Sequence, residues 1–534
     1  MLAGALLALP TTAIGQTSQA PNLLSPRTGW CSLTATPTLR WHGAGGQEHV
    51  SLCRDRACSA VVAEADVEGG AWTPTTPLTR GVWFWRVRRG AQVSPVWSFT
   101  VTARPGGANV IVPRCTDVDG DGYGDALLRG MTFAHRVSLH WGSRAGFVRR
   151  GARLLTEPPP ARSAPMWGDV DLAGDLDGDG YADLLWRHPF VPSRARMARD
   201  PLSATSRDAG AVLVFRGGPR GPSTAPSVTL YAREGEFLFG DAATPAGDVD
   251  GDGRGDLLVT SSPAGSDRAS GGLQLRRRLF ERGGAITEDI TGLPCRSGEA
   301  AFAAAGDVDG DGFADVLGAC GSTSSARPNP ALVRVYHGSP DGLVRPEDLD
   351  LTAERSIVGA DVRVASLGDV DGDGYGDVVA AWHGASVTPG EVMLWRGSPR
   401  GMRGPEALER PTSDASQSAD LFGWIAGTVG DLDGDGRDDV MLSVSDTTQA
   451  FYRGGPRFDA PLLFTRGDGL PVSYFGVHRV CGDVDGDGHA DVVLGANCVE
   501  TDADTGDSCL RREHYLLRGG ADGVSPSRMQ PVPE

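Results

Sequence analysis

One nine-residue pattern, Asp-x-Asp-Gly-Asp-Gly-x-x-Asp, recurs seven times in this chain of 534 residues, beginning at Asp117, Asp175, Asp248, Asp307, Asp369, Asp431 and Asp483. Successive starts lie 58, 73, 59, 62, 62 and 52 residues apart. Four carboxylates within nine residues repel one another, and the glycines at positions 4 and 6 favour a tight backbone turn. A unit of roughly sixty residues repeated seven times predicts an array of small units that bury their apolar faces against one another.

The flanks repeat as well. An apolar segment ending in Gly-Asp precedes six of the motifs, as in Phe239 to Asp248 or Phe475 to Asp483, and a short apolar run such as Asp256-Leu257-Leu258-Val259 follows. In six units a further apolar stretch then runs into a Gly-rich turn, as in Val335-Tyr336-His337-Gly338-Ser339-Pro340-Asp341-Gly342; the third unit, near Leu273 to Arg278, lacks that turn. Each unit reads as strand, acidic loop, strand, variable loop, strand, turn and a weaker fourth strand. The expected fold class is all-β, a seven-bladed β-propeller with four antiparallel strands per blade, preceded by a small β-sandwich. A solenoid would use shorter repeats.

Asp residues at positions 1, 3, 5 and 9, with the position 7 carbonyl, form an all-oxygen set suited to Ca²⁺, whereas Mg²⁺ prefers fewer protein ligands. The predicted ligands are Asp117, Asp119, Asp121, Tyr123 and Asp125 in the first unit and Asp175, Asp177, Asp179, Tyr181 and Asp183 in the second. The third and fourth units offer Asp248, Asp250, Asp252, Arg254 and Asp256, then Asp307, Asp309, Asp311, Phe313 and Asp315. The fifth and sixth offer Asp369, Asp371, Asp373, Tyr375 and Asp377, then Asp431, Asp433, Asp435, Arg437 and Asp439. The seventh offers Asp483, Asp485, Asp487, His489 and Asp491. Position 12 is never Glu, so these are not EF-hands.

Phe-Gly before the loop, Gly-Asp-Val-Asp-Gly-Asp-Gly within it and Asp-Leu-Leu-Val after it resemble the FG-GAP (VCBS) repeats of integrin α-subunit propellers and their secreted bacterial relatives. The resemblance covers about residues 105–534. It implies up to seven structural Ca²⁺ ions, one in each loop between a blade's first two strands, and a non-enzymatic role in protein or glycan recognition, as in adhesion or matrix association. The Phe-Gly pair itself is clear only at Phe239-Gly240, Phe422-Gly423 and Phe475-Gly476.

Residues 21–104 lack the motif and carry Trp30, Trp41, Trp72, Trp83, Trp85 and Trp97 along alternating stretches. They are similar to fibronectin type III modules, with an aromatic carbohydrate-binding module as the rival and the tryptophans expected in the core. Thr102 to Gly107 reads as a linker. Residues 1–20 read as a signal peptide, and no later stretch is apolar enough for a membrane span, so export is expected. Nine cysteines agree with an oxidising compartment. The expected disulfides are Cys53–Cys58 and Cys498–Cys509, with Cys295–Cys320 and Cys115–Cys481 as further candidates and Cys31 left over.

The formal charge of −18 argues against nucleic-acid partners. The motifs hold twenty-eight aspartates, and seven Ca²⁺ ions adding +14 would bring the charge to about −4. Loops between second and third strands should open on the face opposite the acidic loops; from last motif Asp to turn glycine they span 15 residues in the sixth unit and 34 in the second. Trp186, His188, Phe190, Trp382, His383 and the Cys498–Cys509 loop are candidate ligand contacts there. The alternative function is a carbohydrate-active enzyme, a polysaccharide lyase or hydrolase, but no His-Glu-x-x-His, Gly-x-Ser-x-Gly or P-loop pattern is present.

Overall fold

A computed structural model describes residues 20–43, 46–102, 111–112, 116–129, 137–155, 169–192, 209–234, 236–263, 272–282, 284–291, 293, 300–320, 332–344, 347–349, 360–384, 391–411, 422–424, 426–445, 447–458, 461–465, 474–501 and 508–532. Within them the chain is all-β, apart from one short 3₁₀ turn at Pro526–Arg528.

The N-terminal module is built from two sheets. One holds Leu23–Ser25, Leu39–Trp41 and Ala71–Trp72; the other runs Ile111–Val112, Trp30–Ser32, Trp97–Val101, Gly81–Arg89, Glu48–Cys53 and Val61–Val67. Alternation along Gly81–Arg89 sends Trp83, Trp85 and Val87 inward. There they share a core with Leu39, Trp41, Leu52 and Trp97, and Trp85 meets Trp97 edge-on at 6.2 Å. Four of the six tryptophans are therefore core, while Trp30 and Trp72 are half-buried. The Cys53–Cys58 disulfide closes its short loop as expected. Cys31, expected to be left over, is disulfide-bonded, as is Cys320; the other expected pairings involve cysteines whose side chains lie outside the described residues. Strand Ile111–Val112 joins this module by pairing with Trp30–Ser32, beyond the expected boundary at 104.

Each acidic motif leads into its own sheet, numbered here with its loop. Sheet 1 has three described strands, Ala126–Arg129, Val137–Trp141 and Val148–Leu155, fewer than the four expected, because Ile111–Val112 pairs with the module. Sheet 2 orders Asp169–Gly174, Asp183–Pro192, Ala209–Phe215 and Val228–Tyr231, and sheets 4 to 7 repeat this four-stranded antiparallel pattern. In sheet 3 both Glu236–Phe237 and Ala243–Gly247 pair with Asp256–Pro263. The Pro-rich C-terminus does supply a strand, Met529–Pro531, to sheet 7.

Second strands are buried on both faces, which explains their continuous apolar runs. In Asp315–Cys320 every residue is buried; Val316 packs toward sheet 3 with Leu258 and Leu275, and Leu317 toward sheet 5 with Val362 and Val378. The last sheet packs on the first through Val484, Val493 and Leu516 against Ala126, Leu128 and Phe147.

Backbone hydrogen bonds join the loops in the same sequence. The position 8 N–H of each loop donates to the position 1 carbonyl of the loop before it. The distances are 2.9 Å for Ala182 to Asp117, 3.3 Å for Gly255 to Asp175 and 2.9 Å for Ala314 to Asp248. They continue at 2.8 Å for Gly376 to Asp307, 3.1 Å for Asp438 to Asp369 and 2.9 Å for Ala490 to Asp431. Gly124 then donates to Asp483 at 2.7 Å and returns the series to its start.

In six units the glycine after the third strand fits into this seam. A Cβ on Gly338 would lie 2.4 Å from the Ala314 carbonyl oxygen of its own loop and 2.8 Å from that of Val249 in the preceding one. Gly338→Ala should therefore cost roughly 1–3 kcal/mol by overpacking. Gly218→Ala, whose Cβ would meet nothing nearer than 3.9 Å, should leave the unfolding midpoint nearly unchanged. Denaturant unfolding of the two variants checks the contrast.

Candidate metal centres

Within each loop the first aspartate gathers the backbone around itself. Asp117 Oδ1 accepts the N–H groups of Gly120 (2.5 Å) and Asp121 (3.1 Å), and its Oδ2 accepts that of Gly122 (2.9 Å). The pattern recurs in loops 2, 5, 6 and 7. The position 5 carboxylate accepts the position 7 N–H in all seven loops. These turns close each loop, while the position 5 residues Asp179, Asp311 and Asp435 stay exposed.

The ninth aspartate ties loop to sheet. Its Oδ2 accepts the position 2 N–H in every loop, at 2.8–3.0 Å. Its Oδ1 accepts the N–H of the turn glycine in six, as Gly397 to Asp377 at 2.9 Å. That bond puts the third-to-fourth-strand turns on the acidic-loop side of those six sheets. In the third unit Arg278 stands where the others have glycine, with φ of 54°, and the buried Asp256 Oδ1 has no hydrogen-bond partner.

The carboxylates fit a bound cation. Oxygens of Asp117, Asp119 and Asp125 lie within 4.8 Å of one another, as do those of Asp175, Asp177 and Asp183, of Asp248, Asp250 and Asp256, and of Asp307, Asp309 and Asp311. Asp248 Oδ1, Asp250 Oδ1 and Asp307 Oδ1 are likewise buried without a hydrogen-bond partner. Asp117 Oδ1 accepts two N–H groups and is filled, but its Oδ2 accepts one and keeps a lone pair for a cation. Burial, reinforced by the neighbouring carboxylates, raises Asp117 to about 7, Asp175 to about 8 and Asp248 to about 7. Asp125, Asp183, Asp256, Asp377 and Asp491 are pushed well above the usual carboxylate range for the same reasons. A divalent cation at the centre would remove that penalty.

Two features of the loops escaped the sequence reading. The residue just before the turn glycine is basic in six units and reaches the position 3 carboxylate of its own loop. Arg216 lies 2.7 Å from Asp177, Arg277 2.9 Å from Asp250, and His337 3.3 Å from Asp309. Arg396 lies 3.3 Å from Asp371, Arg453 3.5 Å from Asp433, and Arg518 2.9 Å from Asp485. In the first unit that position is Trp141. The repeated Arg-Gly pair was the available signal. Secondly, position 7 side chains cover the position 4 glycine of the preceding loop: Cβ atoms built on Gly120, Gly251, Gly310, Gly434 and Gly486 would meet Tyr181, Phe313, Tyr375, His489 and Tyr123 within 3 Å.

Of the candidate ligand contacts, Trp186 and Trp382 are core residues, Trp186 stacking on buried His188 at 5.7 Å and Trp382 meeting Trp395 edge-on. The side chains of Phe190, His383, Cys498 and Cys509 lie outside the described residues. Innermost strands line a cavity of 450 Å³ with small residues such as Ala173, Ala246, Ala304 and Ala426, and Arg27 and Trp30 of the module reach it.

A family model for the FG-GAP repeat matches residues 167–215, which include the second loop. Integrin alpha-PS5 of Drosophila melanogaster is 28% identical over 153 residues, covering 27% of this chain and 14% of that protein. Integrin alpha-IIb of Homo sapiens is 30% identical over 170 residues, covering 30% and 16%. The matched part is thus a small fraction of those relatives. Among solved structures, the Dos1 propeller aligns with a TM-score of 0.34 and 9% identity over 91% of this chain and 96% of that one. The exotype rhamnogalacturonan lyase YesX aligns with a TM-score of 0.33 and 14% identity over 94% and 91%. Likeness at that level carries nothing about function. No helix among the described residues is long and apolar enough to cross a membrane.

A carboxyl with a raised folded pKa holds its proton more tightly in the folded than in the unfolded state, so stability falls as pH rises through that interval. Without divalent cation the melting temperature should therefore drop between about pH 4 and pH 8, the span from ordinary carboxyls to Asp175. Saturating cation should abolish the drop. Thermal melts across that range in chelator and in calcium check both halves.

Proposed function

We propose that this chain is an exported, calcium-loaded recognition protein: a closed seven-bladed FG-GAP propeller carrying a fibronectin type III-like module, without catalytic activity. The observation that carries this reading is the set of seven matched acidic loops, hydrogen-bonded one to the next, with carboxylate oxygens converging within 4.8 Å in the first four. Similarity to the FG-GAP repeat and to integrin α chains supports the recognition role. The residues at positions 1, 3, 5 and 9 would hold Ca²⁺, with the position 7 carbonyl completing the set. Bound calcium supplies positive charge and rigidity, and no step of chemistry. The side chains around the loops do the rest: position 9 fixes loop to strand, and the basic residue on position 3 limits the negative charge left over.

The variable loops between second and third strands, expected on the face away from the metal and lying mostly outside the described residues, are the proposed contact surface for an extracellular protein or glycan. A rigid scaffold presenting variable loops at one face is a common layout for recognition.

Extracellular sites of this kind bind calcium with Kd of about 10⁻⁴–10⁻³ M. At ten times Kd each occupied site contributes roughly 1.4 kcal/mol, so seven independent sites would add on the order of 10 kcal/mol. Calorimetric titration should show several calcium ions per chain, and chelation should lower the melting temperature sharply. An unchanged melt in chelator would overturn the structural role of calcium. A glycan array and a pull-down from extracellular fractions should return a ligand, whereas metal-dependent turnover in a polysaccharide-cleavage assay would overturn the non-enzymatic reading.

A further inference from the structure

The N-terminal module does not hang free of the acidic loops; it sits on their tips. Trp97 Nε1 donates to the Gly310 carbonyl at 3.3 Å, Thr28 Oγ1 to that of Gly312 at 3.3 Å, and Asn22 Nδ2 to that of Asp373 at 2.8 Å. Arg80 donates to the Gly120 carbonyl at 2.6 Å and lies over the Tyr181 ring, 4.1 Å from its centroid. Arg56 stacks at 3.6 Å on Phe313, between loops 3 and 4. Every one of these acceptors is a carbonyl at motif position 4, 5 or 6.

The seat has no slack. A Cβ on Gly312 would come within 2.4 Å of the Val96 carbonyl oxygen, and one on Gly374 within 2.4 Å of that of Leu23. At one edge Arg27, itself buried, places Nη2 2.6 Å from Asp369 Oδ2 and Nη1 3.1 Å from Asp438 Oδ2, both carboxylates being 1% exposed. Asp438 is the acid among seven otherwise small position 8 residues, Gly124, Ala182, Gly255, Ala314, Gly376 and Ala490.

We propose that the module and the acidic loops form a cation-dependent latch: the module docks on loop tips that are held in shape by bound cation, and chelation undocks it. This rests on the calcium reading of the same loops. Four mutually repelling carboxylates without a counter-ion splay the loop, and a splayed loop withdraws the tip carbonyls from donors set to ångström tolerance. Arg27 does not take calcium's place: a filled loop 5, with four carboxylates and one Ca²⁺, retains negative charge for the guanidinium to pair with. By linkage, docking in turn tightens cation binding in the covered loops.

Hydrogen exchange of the full chain, in calcium and in chelator, tests the latch alongside a calorimetric calcium titration. Amides of Asn22–Trp30, at the seat, should exchange at least about tenfold faster in chelator, while those of the module's central strand Gly81–Arg89 keep their protection. Arg27→Gln in calcium should speed exchange at the seat with the loops still filled, and Asp438→Gly, which installs the small residue of other units, should do the same. If calcium binds but exchange at the seat is unmoved by chelator, the latch fails and the calcium reading stands. If the central strand loses protection in parallel, the effect is unfolding of the module and the latch fails. If no calcium binds, both readings fall.

Discussion

Everything in this molecule hangs on a backbone bond that appears seven times: the N–H before each ninth aspartate donating to the carbonyl of the preceding loop's first aspartate. It joins neighbouring sheets at the end where their inner strands finish, and in six of them it places the turn glycine against two carbonyls, with Arg278 at that place in the third. Small residues at position 8 follow from the same crowding. The bond also fixes loop spacing, because a loop held at both position 1 and position 8 cannot shift without dragging its neighbour. Apolar packing between sheets supplies most of the burial, as in any β protein; the collar of seven loop-to-loop bonds ties the sheets together at one end.

The collar concentrates negative charge, and the fold manages it twice over. Glycine amides wrap the first aspartate, and an arginine or histidine from the end of the third strand reaches the third. These devices soften the repulsion without ending it, since buried first and ninth aspartates still sit far above the ordinary carboxylate range. The acidic composition is therefore local in origin: it comes from loops packed side by side, and it describes little of the remaining surface.

Much of this was legible in the residues. The motif gave away loop, strand and turn because each rests on local chemistry: paired glycines, alternating or continuous apolar runs, and a Gly-rich turn. The core placement of Trp41, Trp83, Trp85 and Trp97 followed from alternation. What stayed hidden involves partners far apart in sequence. Arg216 on Asp177 or Arg396 on Asp371 needs the third strand laid beside the second, and Tyr181 over Gly120 needs two units side by side. Nothing local announces that Ile111–Val112 leaves sheet 1 for the module, or that Arg27 meets residues more than three hundred positions away.

Seven similar loops joined one to the next raise a problem of register, since a module resting on their tips meets nearly the same backbone at each of them. The chain resolves it through departures from the repeat. Arg27 is buried, and a buried guanidinium facing Gly376 or Ala490 would lie unpaired at a cost of several kcal/mol. Asp438 stands where other units keep glycine or alanine, and it also accepts the Asp369 N–H at 2.8 Å, so its carboxylate is held before the arginine arrives. Burial raises Asp438 to about 7, with Arg27 pulling the other way; the pair stabilises little in itself but penalises every other seat. The third unit departs too, with Arg278 in place of the turn glycine, and its loop tip at Gly253 lies against Phe84 and Val82 of the module. In a repeat protein the deviations carry the address.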